Sequence, residues 1–141
     1  MRTAVFALTD GGAALAARLC AALDGEAQLY LPERLSGSAP TAGHTAYFAH
    51  LSAAMTTAFS RYDALVCVMA TGIVVRTLVP CVRSKLYDPA VIVFDEQGRH
   101  GISLLSGHVG GANDLTRTLC AAVGADPVIT TATDVTGVLA P

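Results

Sequence analysis

Short apolar runs alternate with segments of helical apolar spacing along most of the 141-residue chain. A run of four to eight apolar residues is typical of a strand, whereas apolar residues three and four positions apart are typical of a helix. The run at 63–69 is apolar after its first residue, as expected for a parallel strand that is buried on both faces. The pattern predicts strands at residues 3–8, 27–31, 63–69, 90–94, 101–105 and 127–130, and helices at residues 11–23, 45–59, 73–79 and 113–123.

This alternation predicts one α/β domain over residues 1–141, built in three layers around a mostly parallel, doubly wound sheet of Rossmann or flavodoxin type. Only the polar turn DEQGR separates the strands at 90–94 and 101–105, so these two strands are predicted to form a hairpin. Asp95 and Glu96 are therefore interpreted as a hairpin tip and not as a catalytic pair of carboxylates. A doubly wound sheet binds its ligand outside the carboxyl ends of its strands.

Composition narrows the classes of partner. The formal net charge is −2, which gives no basic surface for nucleic acid or for an anionic membrane. No apolar stretch approaches the roughly 20 residues that span a bilayer, and the N-terminus has no signal-peptide pattern, so we expect a cytoplasmic protein. The spacing of the cysteines and histidines indicates no protein metal site, and the cysteines are expected to be buried free thiols. The residues concerned are Cys20, Cys67, Cys81, Cys120, His44, His50 and His100.

The glycine-rich segment LLSGHVGGAND at 104–114 is the first candidate for chemistry. A nucleophile elbow would need glycine at Leu104 and His108, and the segment matches neither a P-loop nor a dinucleotide fingerprint. Glycines allow a ligand close to the backbone, and a helix start offers free N–H groups to an anion. The segment is therefore predicted to form a cradle for an anionic ligand. The predicted binding residues are Gly107, Gly110, Gly111 and Asn113.

Two side chains of this segment are candidates for catalysis. His108 has an imidazole that can act as a general base or as a hydrogen-bond donor near neutral pH. Ser106 is the neighbouring hydroxyl. The structural alternative is that His108 and Ser106 only cap the helix that follows.

The segment MATGIVVR at 69–76 repeats this pattern after the central strand. Thr71 is predicted to cap a helix, Gly72 to open access to the backbone, and Arg76 to bind a carboxylate. Two helix starts, at 71–76 and 106–114, are predicted to face one ligand. Arg83 and Lys85 either add to this basic group or lie in a solvated loop.

Three stretches of the chain resemble the N-terminal region of the CbiG family, the cobalt-precorrin 5A hydrolases of anaerobic cobalamin biosynthesis. They are VCVMATGIVVRTLVP at 66–80, DPAVIVFDEQGRHGISLLSGHVGGANDLTRTL at 88–119 and PVITTATDVTG at 127–137. The resemblance implies hydrolytic opening of a δ-lactone on a cobalt-bound macrocycle, with release of acetaldehyde. It also implies a polycarboxylate corrinoid precursor as substrate, which carries the cobalt, so no cofactor of the protein is expected.

Lactone opening needs an activated water and stabilisation of the developing oxyanion. On the grounds of chemistry and placement, His108 would activate the water, and the backbone amides around Gly110 and Gly111 would stabilise the oxyanion. Members of the family continue into a central region and a C-terminal domain that this chain lacks, which implies a C-terminal domain or a split subunit as partner. The alternative is a non-catalytic module that binds a corrinoid or docks to a protein of the same pathway.

Overall fold

A seven-stranded sheet organises the chain in the computed structural model, which describes residues 1–24, 26–37, 45–107 and 110–131. The strands are β1 (Arg2–Ala7), β2 (Glu26–Pro32), β3 (Thr45–Phe48), β4 (Ala64–Val68), β5 (Ala90–Phe94), β6 (His100–Leu105) and β7 (Asp126–Val128). The helices are α1 (Asp10–Ala22), α2 (Leu51–Phe59), α3 (Thr71–Leu78) and α4 (Ala112–Val123), with 3₁₀ turns at Glu33–Leu35 and Val79–Cys81. The strand order is β3-β2-β1-β4-β5-β6-β7.

The sheet changes direction once, between β5 and β6. The first five strands are parallel to one another, β6 is antiparallel to β5, and β7 is parallel to β6. The predicted hairpin is therefore confirmed, and β6 and β7 run opposite to the other five strands. We call the edge at which β1 to β5 end the carboxyl edge, and the opposite edge the amino edge.

Helices cover both faces of the sheet because its central strands are apolar on both faces. On the first face of the sheet, Val66 of β4 packs in the core with α1 and α4. On the second face, Leu65 and Cys67 of β4 pack in the core with α2 and α3. All five residues of β4 and of β5 are buried. The predicted three-layer, doubly wound α/β domain is confirmed.

Local sequence signals explain where α1 begins and where α4 ends. The Thr9 hydroxyl accepts the Gly12 N–H at 3.0 Å and caps α1. Gly124 ends α4 with φ 77°, a left-handed conformation that glycine adopts without a steric penalty. None of the described helices is long and apolar enough to cross a membrane.

The cysteines are free thiols, as predicted. Cys67 and Cys120 are buried, and Cys20 and Cys81 are only partly so. Burial raises the pKa of the Cys67 thiol to about 12 and that of Cys20 to about 11. These two thiols are therefore neutral near pH 7 and are poor nucleophiles.

The helix predicted over residues 45–59 is wrong in its first part. Residues Thr45–Phe48 form strand β3, which pairs with β2, and the helix begins only at Leu51. The stretch TAYF is rich in residues that favour strands. Phe48 also lies against Phe6, with ring centroids 6.1 Å apart. Strand pairing and this aromatic contact outweigh the helical spacing of the apolar residues.

We predict that Gly101→Ala destabilises the domain. A Cβ atom at Gly101 would lie 2.7 Å from Cζ of Phe94 and would also clash with Sγ of Cys120. Overpacking of this kind lowers the free energy of unfolding by about 1–3 kcal/mol, which urea denaturation measures. Gly11→Ala is the control, since a Cβ there meets nothing within 4 Å in the first turn of α1. Equal stability of the two variants would contradict the packing described for β6 and α4.

Candidate functional site

The two predicted halves of the ligand site lie at opposite edges of the sheet. Val68, the last residue of β4, pairs with Phe94, the last residue of β5, and Phe94 pairs with Gly101 near the start of β6. Helix α3, which follows β4, therefore begins at the carboxyl edge. Leu105 pairs with Val91, so Ser106, Gly107 and the start of α4 lie at the amino edge. A five-residue strand separates its two ends by about 13 Å. The prediction that residues 71–76 and 106–114 face one ligand is therefore wrong.

A cavity of about 700 Å³ opens at the carboxyl edge beside β4 and β5, and we call it the carboxyl-edge cavity. Ligand sites are commonly of this size, and doubly wound sheets place them at this edge. Apolar side chains form part of its wall, and polar side chains form the rest. The apolar residues are Met69, Ala70, Val93, Ile102 and Val128, and the polar residues are Thr71, Asp95, Glu96, Arg99 and His100.

The start of α3 brings together the three residues predicted there. Thr71 lines the carboxyl-edge cavity. It does not cap the helix as predicted, because α3 begins at Thr71 itself and Ala70 occupies the capping position without a side-chain hydrogen bond. The guanidinium of Arg76 folds back over Gly72, where a Cβ atom would lie 3.1 Å from Nη1.

This placement concentrates positive charge at the carboxyl edge. Arg76 lies over the first turn of α3, where the helix dipole is also positive. The ion pairs among the described residues join Arg2 to Glu26 and Arg117 to Asp114, so Arg76 has no carboxylate partner among them. A carboxylate group of a ligand is the natural counter-charge for such a guanidinium.

The hairpin turn after β5 forms another part of the cavity wall. The Asp95 carboxylate accepts the backbone N–H groups of Arg99 at 3.0 Å and of His100 at 2.7 Å, so it holds the turn as a hairpin tip. The Glu96 carboxylate accepts the Thr9 hydroxyl at 2.7 Å, which ties the turn to the start of α1. Both carboxylates line the cavity, although the sequence indicated only a structural role for them.

Arg99 and His100 are the candidate functional residues that sequence reasoning missed. Both side chains are exposed and line the carboxyl-edge cavity. Arg99 has no ion-pair partner among the residues that the structure describes. The signal that would have found them is the hairpin itself, because its turn must lie at the edge where β5 ends.

The segment at the amino edge is closed more tightly than an open anion cradle. The N–H groups of Ala112 and Asn113 donate to the carbonyls of Ser106 and Gly107 at 3.2 and 2.9 Å. These donors of the first turn of α4 are therefore already satisfied within the chain. Gly107 and Gly110 allow the close approach, because a Cβ atom on either would lie within 2.8 Å of Asn113 or Ser106.

Ser106 and Gly111 do not take the positions expected of them. Ser106 does not cap α4, because Gly111 occupies the capping position with φ 84° and without a side-chain hydrogen bond. The Ser106 hydroxyl instead donates to the Asp88 carbonyl at 3.2 Å. His108 lies outside the described residues, so its predicted role stays a prediction.

Asn113 organises this segment from inside the protein. Its side chain is 3% exposed, its Oδ1 accepts the Ser103 hydroxyl at 2.6 Å, and its Nδ2 donates to the Thr131 hydroxyl at 3.2 Å. The amide thus links β6, the glycine-rich segment and the chain after β7. This geometry fits a residue that positions the segment better than one that contacts a ligand.

The remaining candidates lie apart from these groups. Arg83 and Lys85 are exposed in the loop between α3 and β5, and the N–H of Arg83 donates to the Asp88 carboxylate at 2.8 Å. Within the described part of the chain, no group of three or more histidine, cysteine, aspartate or glutamate side chains could hold a metal ion.

The comparisons with known proteins all indicate the same family. Residues 53–134 match the family model described as cobalamin synthesis G N-terminal. A cobalt-precorrin-5A hydrolase from Salmonella typhimurium is 53% identical over 134 residues, which are 94% of this chain and 36% of that protein. A cobalt-precorrin-5A hydrolase from Priestia megaterium is 52% identical over 77 residues, which are 55% of this chain and 21% of that protein.

The fold comparison agrees as well. The chain is similar to the crystal structure of a cobalamin biosynthesis protein G homologue from Sulfolobus solfataricus, with a TM-score of 0.67 and 26% identity. The similarity covers 92% of this chain and 36% of that chain. The chain therefore spans little more than a third of the length of the relatives from Salmonella typhimurium and Sulfolobus solfataricus. Both of these proteins carry polypeptide outside the matched region.

We predict that Asn113→Ala destabilises the domain and loosens the glycine-rich segment. The change leaves the half-buried Ser103 and Thr131 hydroxyls without this partner, which costs about 1 kcal/mol of the free energy of unfolding. Urea denaturation measures this loss of stability. Hydrogen exchange at the Ala112 amide, which donates to the Ser106 carbonyl, becomes faster if the glycine-rich segment loosens. Asp114→Asn is the control, since Asp114 is exposed and pairs only with the exposed Arg117. An unchanged exchange rate at Ala112 in Asn113→Ala would contradict the positioning role.

Proposed function

The chain belongs to the cobalamin synthesis G N-terminal family, and from that premise we propose that it is the N-terminal part of a cobalt-precorrin-5A hydrolase. In the proposed reaction, water adds to the carbonyl of a δ-lactone on the macrocycle and the acyl C–O bond breaks. The freed alcohol then loses its proton and becomes the carbonyl of acetaldehyde, while the C–C bond that joins this two-carbon fragment to the macrocycle breaks and the macrocycle takes up a proton. The extent of identity to the hydrolase from Salmonella typhimurium supports this proposal. The cobalt belongs to the substrate.

We place substrate binding in the carboxyl-edge cavity. The observation that carries this placement is a cavity of about 700 Å³ in which apolar side chains meet Arg99, with Arg76 beside it at the start of α3. A corrinoid precursor is an apolar ring surrounded by carboxylates. Its ring can pack on Met69, Val93 and Ile102, while its carboxylates meet the two guanidinium groups.

The net charge of the chain is consistent with local recognition of the substrate. At −2, the protein as a whole does not attract anions. The Asp95 and Glu96 carboxylates in the cavity wall already accept hydrogen bonds from the hairpin turn and from Thr9. Arg76 and Arg99, which have no ion partner in the part of the chain that the structure describes, are therefore the groups that select a polycarboxylate. Thr71 supplies a hydroxyl in the cavity.

Two imidazoles are candidates for the catalytic base. His108, with Ser106 and the amides around Gly110 and Gly111, is the candidate that the sequence indicates. His100 is the imidazole in the carboxyl-edge cavity. Lactone opening needs one group to take a proton from water and donors that stabilise the oxyanion. The position of the substrate determines which imidazole can do this.

We predict that Arg99→Ala and Arg76→Ala each weaken binding of cobalt-precorrin 5A at least tenfold. The loss of one charge-assisted hydrogen bond is worth about 1.4 kcal/mol or more, which is a factor of ten in affinity. Titration of the chain with cobalt-precorrin 5A, followed by the absorbance of the macrocycle, measures the effect. Arg18→Ala is the control, because Arg18 on α1 donates to the Val123 carbonyl away from the cavity. Wild-type affinity in both cavity variants would overturn the placement.

We predict that acetaldehyde formation distinguishes the two imidazoles. The His100→Ala and His108→Ala variants are incubated with cobalt-precorrin 5A and assayed for acetaldehyde and for the mass of the macrocycle. Loss of product in His100→Ala alone places the base in the cavity, whereas loss in His108→Ala alone assigns the base to His108. Binding without turnover by the unmodified chain would instead support the second candidate function, a module that holds the corrinoid without catalysing its hydrolysis.

A further inference from the structure

A wholly apolar groove of about 350 Å³ lies between α3 and β6, and we call it the α3–β6 groove. Val75, Val79 and Val82 form one side, and Leu104 and Leu105 form the other. The three valines are 41%, 61% and 43% exposed. Neighbouring apolar side chains with this exposure mark a surface that another protein surface covers.

The groove exists because the second face of the sheet is only partly covered. Helices α2 and α3 pack on this face over β1, β4 and β5. On the first face, α4 covers β6, where Cys120 lies against Gly101 and Asn113 binds Ser103. Over residues 1–24, 26–37, 45–107 and 110–131, no helix covers the second face of β6 and β7, so Leu104, Leu105 and Val128 stay partly exposed.

Two observations indicate what covers the groove. The matched relatives from Salmonella typhimurium and Sulfolobus solfataricus carry nearly two thirds of their length outside the region that this chain matches. Thr131, which follows β7, also lies at the amino edge, because Asn113 holds its hydroxyl next to Gly107, two residues beyond Leu105 of the groove. Thr131 and Leu105 therefore lie at the same edge of the sheet.

We propose that the α3–β6 groove is the docking surface for the second folded part of the longer hydrolase. The choice of this partner rests on the proposed function. The partner contributes an apolar ridge, because the described residues that line the groove have only apolar side chains. Docking completes the third layer of the domain over β6 and covers the three exposed valines.

The test uses the intact relative from Salmonella typhimurium with lysine at the two positions that align with Val79 and Val82. We expect the radius of gyration from X-ray scattering to rise, and limited proteolysis between the two parts to become at least tenfold faster. A lysine at the position aligned with Val75 is the second variant, and glutamate at the position aligned with Arg117, on the exposed side of α4, is the control. Unchanged scattering and proteolysis in both groove variants would overturn the proposal.

A matched experiment on this chain separates docking from other effects. Val79→Lys and Val82→Lys replace exposed side chains, so we expect the urea unfolding of the isolated chain to remain close to that of the parent. Sedimentation that shows a dimer of the parent chain, lost in these variants, would overturn the proposal in favour of a second copy as occupant. None of these measurements depends on turnover, so failure of docking and failure of the proposed activity are separate results.

Discussion

The reversal of the sheet after β5 determines where every candidate functional group lies. The Asp95 carboxylate accepts two backbone N–H groups across the turn, and the Gly98 N–H donates to the Asp95 carbonyl at 3.0 Å. Gly98 has φ 70° in this turn, a conformation that other residues rarely adopt. This turn sends β6 back toward the amino edge. A parallel β6 would instead have placed the glycine-rich segment beside Thr71.

The same reversal explains the main error in predicting the site. The hairpin of β5 and β6 was predictable from two apolar runs and the turn DEQGR, and a hairpin necessarily returns the chain to the edge where β5 begins. A single ligand face that includes both 71–76 and 106–114 is incompatible with that geometry. Local glycine patterns suggested the shared site, but strand direction controls which loops meet. The structure follows the hairpin.

Much of the fold was predictable because its signals are local or strongly apolar. The buried run of β4 requires helices on both faces, and Gly124 marks the end of α4. Strand β3 was not predictable in this way, because the stretch TAYF becomes a strand only when it pairs with β2 and packs on Phe6. Arg99 and His100 carry no motif. The predicted hairpin could place them at the edge where β5 ends, but the cavity itself is formed with residues distant in sequence, such as Met69 and Thr71.

The two edges of the sheet suit different parts of the proposed function, one the binding of the substrate and the other contact with protein. The carboxyl edge has a cavity lined by Arg99, and Arg76 lies at the neighbouring start of α3. Neither arginine has an ion partner among the described residues, which suits a polycarboxylate ligand. The amino edge has an apolar groove beside a segment in which the Ala112 and Asn113 N–H groups bond within the chain, which suits contact with protein.

Ser106 and Gly107 directly follow Leu105 at the end of this groove. A partner seated on the α3–β6 groove would therefore also lie against the glycine-rich segment. Ile102 lies on the same face of β6 as Leu104, and Ile102 also lines the carboxyl-edge cavity. A partner on this face would therefore adjoin the cavity that contains Arg99 and His100, so substrate binding and docking share one face of β6.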